Sequence, residues 1–438
     1  MTTSRLRSSG VPPGTLAALM LAVFTVSAGY GVVLPLLPYS IERLIGAGTP
    51  AVQVSRNVGL VAAIYTLALF LFAPAWGRIS DRRGRRSVLL VGLVGFGATM
   101  LAFSWVETLW AVYAERFFSG MFAAAVTPVA AAAIGDLATT DQARARRLTF
   151  VSLSGVSGFL LGPMLGVFIA RSAAKLLSIP QSAGSLAIPL AATAALAWVA
   201  ALAVRVAVPS ATHLTNVLRK GDRLPRVAPG WVLPNLLALT FIVSAGVGVF
   251  EVGLALRGKQ ELGLTPYQIA MMFSECSLVM FVVQAIVFSP LVKPRATRWL
   301  VPPALAALTV GLFLVPRASN FALMLTVVGT VAASAGILSP ILTYWISSMA
   351  GKAQGAELGK QTAAASLGAA VGSAAGGLLF DVASLPGASF LLTAGLAAIG
   401  VILSLRLPRV LSAYAIDTEL QVVEAMHAPV GRSPDERA

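Results

Sequence analysis

The chain has 438 residues, of which 57% are hydrophobic and only 11% charged, with a formal net charge of +15. Ordinary globular proteins carry about 25% charged residues, so this composition excludes a string of soluble domains. The single cysteine, Cys276, excludes an intramolecular disulfide, and two distant histidines, His213 and His427, leave no metal cluster or metal cofactor to expect.

Apolar runs of about 20 residues, enough to cross a bilayer core as helix, recur along almost the whole chain. A β-barrel would need apolar and polar residues alternating in segments of about ten, and nothing here alternates. The expected fold is all-α and integral to the membrane: twelve transmembrane helices in two pseudo-symmetric six-helix bundles. The first six spans fall near 15–38, 56–76, 87–106, 108–137, 148–171 and 184–205. The second six fall near 231–255, 267–290, 299–316, 320–346, 359–381 and 387–406. Residues 1–14, the proline-containing linker 206–230 and the tail 408–438 are polar, leaving bundles at 15–205 and 231–407. The run from Leu16 to Pro38 exceeds the roughly 7–15 residues of a signal-peptide core, so it reads as a retained span.

Span one closes on YGVVLPLLP, with Tyr30, Pro35 and Pro38. Prolines interrupt the hydrogen-bond ladder, which permits a bend; a plain helix terminus is the alternative. Span two runs into GRISDRRGRR, Gly77 to Arg86, where five arginines and Asp81 crowd a very short loop. That charge cannot enter hydrocarbon and pins the loop to the cytoplasmic face. With both termini on the same side, Lys and Arg divide roughly three to one in favour of the inner segments, so the basic charge is a topology signal and not a nucleic-acid footprint.

Span four holds Arg116 deep in an apolar helix, where insertion costs roughly 2.5–3.5 kcal/mol. Such a charge is retained for a role or neutralised by a partner. Its neighbour Glu115 projects about 100° away around the helix, so the two are expected to face different directions. Asp136, Asp141 and Arg144 follow at the inner end. Span five carries Gly158, Gly162, Pro163 and Gly166, a G-x-x-x-G-P-x-x-G face that lets a neighbouring backbone approach closely. The acids inside or near apolar spans are Glu115, Glu251 near the outer end of span seven, and Glu275, expected to be the deepest acid of the second half. Tyr344 and Trp345 near the inner end of span ten are either cavity-lining or interfacial anchors. Gly368, Gly372 and Gly376 in span eleven repeat the span-five spacing at an offset of 210, and FSPLVKPRATRW from Phe288 faintly repeats FAPAWGRISDRR from Phe72. Duplicated halves place a substrate site between them near the bilayer midplane.

The basic loop resembles the one between spans two and three of major facilitator superfamily transporters, G-x-x-x-D-R-x-G-R-[RK], with Gly77, Asp81, Arg82, Gly84, Arg85 and Arg86 all matching. The span-five face is similar to the signature of the twelve-span drug:proton antiporters, except that Val167 stands where a further glycine is usual. Arg116 with Gly120 matches the span-four R-x-x-x-G element, and Pro35 with Pro38 resembles the proline element of span one.

The resemblance implies rocker-switch alternating access around a cavity lined by spans one, four, seven and ten, including Tyr30, Arg116, Glu251, Tyr344 and Trp345. It implies that the span-five face governs how the halves meet. It also implies an inner latch of the loop residues with Asp136 and Arg144, Asp81 lying against a helix N-terminus of the other half. Coupling would fall to Arg116, Glu115, Glu251 and Glu275. The implied activity is export of a small, partly hydrophobic compound in exchange for protons, by a monomer in a bacterial-type inner membrane with both termini cytoplasmic. The absence of an acid inside span one leaves open an importer or facilitator of a sugar, anion or metabolite, with Arg116 as the anion contact. A non-transporting scaffold or sensor is a further alternative. No nucleophile–base set or phosphate loop is visible, so an enzyme is not expected.

Overall fold

The computed structural model describes residues 12–46, 48–137, 141–177, 187–209, 230–287, 294–349, 354–382 and 385–412. Among them every regular element is helical. Helix is the form in which a single segment satisfies all its own backbone groups inside hydrocarbon. Ten segments are long and apolar enough to cross a bilayer. In the first half these are Pro13–Ile45, Ala51–Arg83, Arg85–Phe103, Leu109–Leu137, Arg146–Ala170 and Ala187–Ala207. In the second half they are Val232–Gln260, Pro266–Val287, Ala296–Arg317 and Phe321–Met349. Helices Gln354–Leu378 and Ala388–Ser404 take the places of spans eleven and twelve.

Span one corrects the sequence reading. It does not stop at Pro38; a 3₁₀ turn, Leu34–Leu36, interrupts it, and helix Leu37–Ile45 carries it onward. Pro35 and Pro38 each fall in the first turn of a new segment, where no amide hydrogen is needed. Span two overruns its expected end and continues to Arg83. The basic turn then consists of one residue, Gly84, at φ 88°, a left-handed conformation that costs glycine nothing.

Small residues set the helix spacing, as they must where lipid offers no hydrophobic drive between helices. Gly158 faces the Phe24 carbonyl, Gly162 the Ala28 carbonyl, and Gly166 the Val32 side chain, so span five lies directly on span one. Pro163 frees the carbonyl of Phe159, and Gly31 leaves room for both groups. In the second half Gly368, Gly372 and Gly376 meet Phe241, Ala245 and Val249 in the same way. The span-five glycine face therefore packs against span one within its own half.

The halves themselves cross through spans two and eleven, and through spans five and eight. A β-carbon on Gly59 would lie 2.5 Å from the Gly377 Cα, so both glycines are needed at the first crossing. At the second, the Ser274 hydroxyl donates to the Leu160 carbonyl at 3.2 Å. These crossings, and the cross-half hydrogen bonds of Tyr39, Ser55 and Lys259, gather toward the end opposite the basic Gly84 turn.

Adding a β-carbon at Gly162 would place it 2.5 Å from the Ala28 carbonyl oxygen, and backbone cannot give way cheaply. Gly162→Val should lower stability by about 1–3 kcal/mol, the usual penalty of overpacking. Gly77→Ala, inside the helix that leads to the basic turn and with no atom within 4 Å of the new methyl, should hold stability or raise it by up to about 1 kcal/mol. Thermal unfolding of the purified variants in detergent checks both.

Candidate functional site

A cluster of aromatic rings and one carboxylate sits where the halves meet. Tyr30 of span one is stacked on Tyr65 of span two, ring centroids 5.0 Å apart, and on Phe159 of span five at 5.8 Å. Phe159 in turn meets Phe273 of span eight edge-on at 6.4 Å. The Tyr30 hydroxyl donates to Glu251 Oε2 of span seven at 2.8 Å. One hydrogen bond thus joins the first and second halves inside the membrane. Tyr30 and Glu251 are both only half-buried, so the pair borders accessible space. Span seven extends to Gln260, nine residues past Glu251. The acid accordingly lies well inside the helix and not near its outer end, as the sequence had indicated.

Arg116 enters the same cluster from span four. Its guanidinium lies 5.6 Å from the Tyr65 ring centre and 4.8 Å from that of Phe103. Contrary to the helical-wheel expectation, Glu115 does not point away. Both side chains curl into one plane, and Arg116 Nε and Nη2 donate to the two Glu115 oxygens at 2.5 and 2.8 Å. Backbone direction separates neighbouring β-carbons, but two long side chains can bend toward one another and close that angle. The pair is nearly sealed, with side chains 3% and 4% exposed. A bidentate, sealed pair leaves Arg116 no free face for an anionic ligand.

Other expected residues lie elsewhere. Glu275 shares a helical stripe with exposed Met271, Leu278 and Val282, but its carboxylate turns inward: Oε1 faces Gly329 of span ten and Oε2 is buried within the second half. Trp345 is buried, with its Nε1 donating to Thr297 Oγ1 at 3.3 Å inside the second half. It does not line the Tyr30–Glu251 site. Tyr344, 39% exposed, packs edge-on against it at 5.3 Å.

At the basic end, Arg85 gathers the latch residues of the first half. It pairs with Asp81 at 2.5 Å and Asp136 at 2.9 Å, and donates to Ser80 Oγ at 2.6 Å. Asp81 is therefore held by an arginine four residues on, within its own half. Arg82 is exposed and Arg86 half-buried. The Arg144 side chain, linker residues 210–229, the repeated segment 288–293 and tail residues 413–438 lie outside the described residues.

Sequence reasoning missed Tyr65, Phe159, Glu42 and Lys259. A signal did exist. Residues 24–32, FTVSAGYGV, recur at 241–249 as FIVSAGVGV, an offset of 217 that differs at only two positions. Tyr30 is one of the two, matched by Val247, and Glu251 is matched by Leu34. The bonded pair occupies places where the duplicated spans no longer agree.

The sequence profile of the Major Facilitator Superfamily matches residues 19–356. The chain belongs to this superfamily. It is 28% identical over 377 residues to Multidrug resistance protein 1 of Bacillus subtilis, covering 84% of this chain and 90% of that protein. It is 26% identical over 360 residues to Multidrug resistance protein 2 of the same organism, covering 82% and 87% respectively. Among solved structures it is similar to a D-xylose-proton symporter, with a TM-score of 0.71 and coverage of 90% and 97%; at 14% identity the likeness is one of fold. This facilitator-superfamily protein is a multi-pass membrane transporter for small molecules and not an enzyme.

Removing one partner of a sealed ion pair leaves a bare charge, at a cost of about 3–5 kcal/mol. Glu115→Ala should therefore melt well below the parent. The double variant Glu115→Gln with Arg116→Met should recover most of the loss. A single variant as stable as the parent would show that the pair is dispensable.

Proposed function

We propose that this facilitator-superfamily protein exports a small, partly hydrophobic compound in exchange for protons by rocker-switch alternating access. The observation that carries the reading is the Tyr30–Glu251 hydrogen bond. It places a titratable carboxylate at the meeting point of the two halves, beside the faces of Tyr65, Phe159 and Phe273. An intramembrane carboxylate is expensive to keep and by default marks an ion or substrate pathway. The printed names of the two Bacillus relatives point the same way, toward multidrug resistance.

The chemistry follows from what a proton does to that pair. Ionised, Glu251 accepts the Tyr30 O–H and ties span one to span seven. Protonation removes the charge that strengthens this bond, and the tie between halves weakens. The half-buried rings of Tyr30 and Phe159, backed by buried Tyr65 and Phe273, take the flat apolar part of a substrate, while Glu251 supplies the one polar contact that titrates. A proton entering down 100 mV gains about 2.3 kcal/mol, which offsets a substrate gradient of roughly fiftyfold. The Glu115–Arg116 pair, internally neutral, holds Tyr65 against Tyr30 and takes no part in binding an anion. This disfavours the anion-import reading.

The positive-inside bias puts the Asp81 turn, the linker 206–230, the tail 408–438 and both termini in the cytoplasm, with the protein a monomer in a bacterial-type inner membrane. The closed crossings then lie on the outer side, and the conformation described is inward-facing. In the outward-facing state Gly77, Asp81, Arg82, Gly84, Arg85 and Arg86, with Asp136 and Arg144, form the inner latch. A cysteine at Arg83, in a Cys276→Ala background, should react with an impermeant thiol reagent only from the cytoplasmic side. Reaction from outside intact cells would invert the topology.

Purified protein in liposomes under an imposed pH gradient tests the exchange directly, with a panel of neutral and cationic fluorescent compounds. Substrate movement should release the proton gradient. Glu251→Gln should lower gradient-driven transport by more than about tenfold, since the neutral side chain cannot cycle between charge states. Full gradient-driven transport by that variant would remove Glu251 from coupling.

A further inference from the structure

We propose that Lys259, acting through Glu42, is the positioning residue that holds the end opposite the basic turn closed; this rests on the alternating-access reading above. Lys259 belongs to span seven, and its ammonium reaches across to span one, where it pairs with the Glu42 carboxylate. The same ammonium donates to the Pro38 carbonyl at 3.0 Å and lies 4.8 Å from the centre of the Tyr39 ring. The Tyr39 hydroxyl then returns to the second half, donating to the Leu264 carbonyl at 2.5 Å. Every one of these contacts joins different halves. The lysine side chain is only 13% exposed and its Glu42 partner 42%, so a seated cation meets a carboxylate at the rim of the contact.

Its position relative to the Tyr30–Glu251 bond gives it a role beyond adhesion. Spans one and seven run in the same direction, and the two connections are eight residues apart on both, from Tyr30 to Pro38 and from Glu251 to Lys259. Eight residues are about 12 Å of helix, so the contacts form two rungs between parallel helices. Between the rungs, span one passes through the 3₁₀ turn Leu34–Leu36 while span seven is continuous helix. The segment Leu37–Ile45 can therefore turn about its junction with the helix below, and the lysine clasp decides whether it stays against span seven. Loss of the lower bond at Glu251 leaves the upper clasp as the remaining tie between these two spans. Closing and opening of this end thus depend on Lys259 finding Glu42.

Spin labels at Glu107→Cys and Ser319→Cys, exposed on opposite halves at this end, read the closure in a Cys276→Ala background. Glu42→Lys and Lys259→Glu should each shift the distance distribution toward separated ends by at least about tenfold in population, because like charges then face one another. The combined Glu42→Lys with Lys259→Glu should restore the closed distance, and Lys259→Arg should keep it. A single reversal that leaves the closed distance in place, or a double reversal that stays separated, would overturn the assignment. If the reversals do not yield folded protein, Lys259→Gln reads the same distance, and an unchanged distribution there also overturns it. The measurement needs no substrate. A wild type without proton-driven transport would sink the export reading and leave this one standing.

Discussion

Backbone-to-backbone contact between spans one and five, and between spans seven and eleven, is the constraint on which the rest of the protein depends. Lipid tails are as apolar as the helices, so close packing has to supply what burial supplies in water. The glycines at four-residue spacing bring carbonyls of Phe24, Ala28, Phe241 and Ala245 against a facing helix. That contact fixes the rotation of spans one and seven, and with it the direction in which Tyr30 and Glu251 project. The polar pair is therefore a consequence of where side chains are missing.

Within each half the packing is nearly symmetric, and the chemistry is not. The FxVSAGxGV segment recurs almost unchanged because its small residues and its Phe and Val do the same packing work twice. The two halves diverge where they face each other: Tyr30 against Val247, Leu34 against Glu251. Gly59, paired by the repeat with Glu275 at an offset of 216, shows the same divergence at the crossings between halves. One crossing closes tightly through Gly59 and Gly377, while the residue matched to Gly59 is an acid whose carboxylate faces Gly329 inside the second half. Duplication explains the frame, and departures from it mark the positions that can hold charge.

This also explains what was legible from the residues. Helical class, the order of spans and the very short turn at Gly84 follow from hydropathy and charge, which act locally. The misreadings concern side-chain reach and proline context. Periodicity placed Glu115 away from Arg116 because it describes β-carbons and not the ends of long side chains. The prolines indicate a bend or a plain terminus, and the motif carries no sign that a new helical turn begins at Pro38. Tyr65 and Phe159 were invisible because an aromatic residue in an apolar span looks the same whether it meets lipid, core or cavity. Lys259 was counted as a topology charge, since nothing in span seven says that Glu42, more than two hundred residues earlier, lies within reach.

Two kinds of ion pair in the membrane divide the labour. Glu115–Arg116 is formed between chain neighbours on one helix, so no movement of the halves can separate it. Such a pair can stiffen the wall behind Tyr65 but cannot report which way the transporter faces. The Tyr30–Glu251 and Glu42–Lys259 contacts are formed between helices of different halves, so they exist only while these spans are together. A group that is satisfied in one arrangement and bare in the other has an energy that depends on that arrangement, which is the requirement for any ligand or proton to shift it. The single-helix pair lacks that dependence by construction. On the exchange mechanism proposed above, coupling runs through the cross-half contacts, and the span-four arginine serves it at one remove, by holding the ring on which Tyr30 rests.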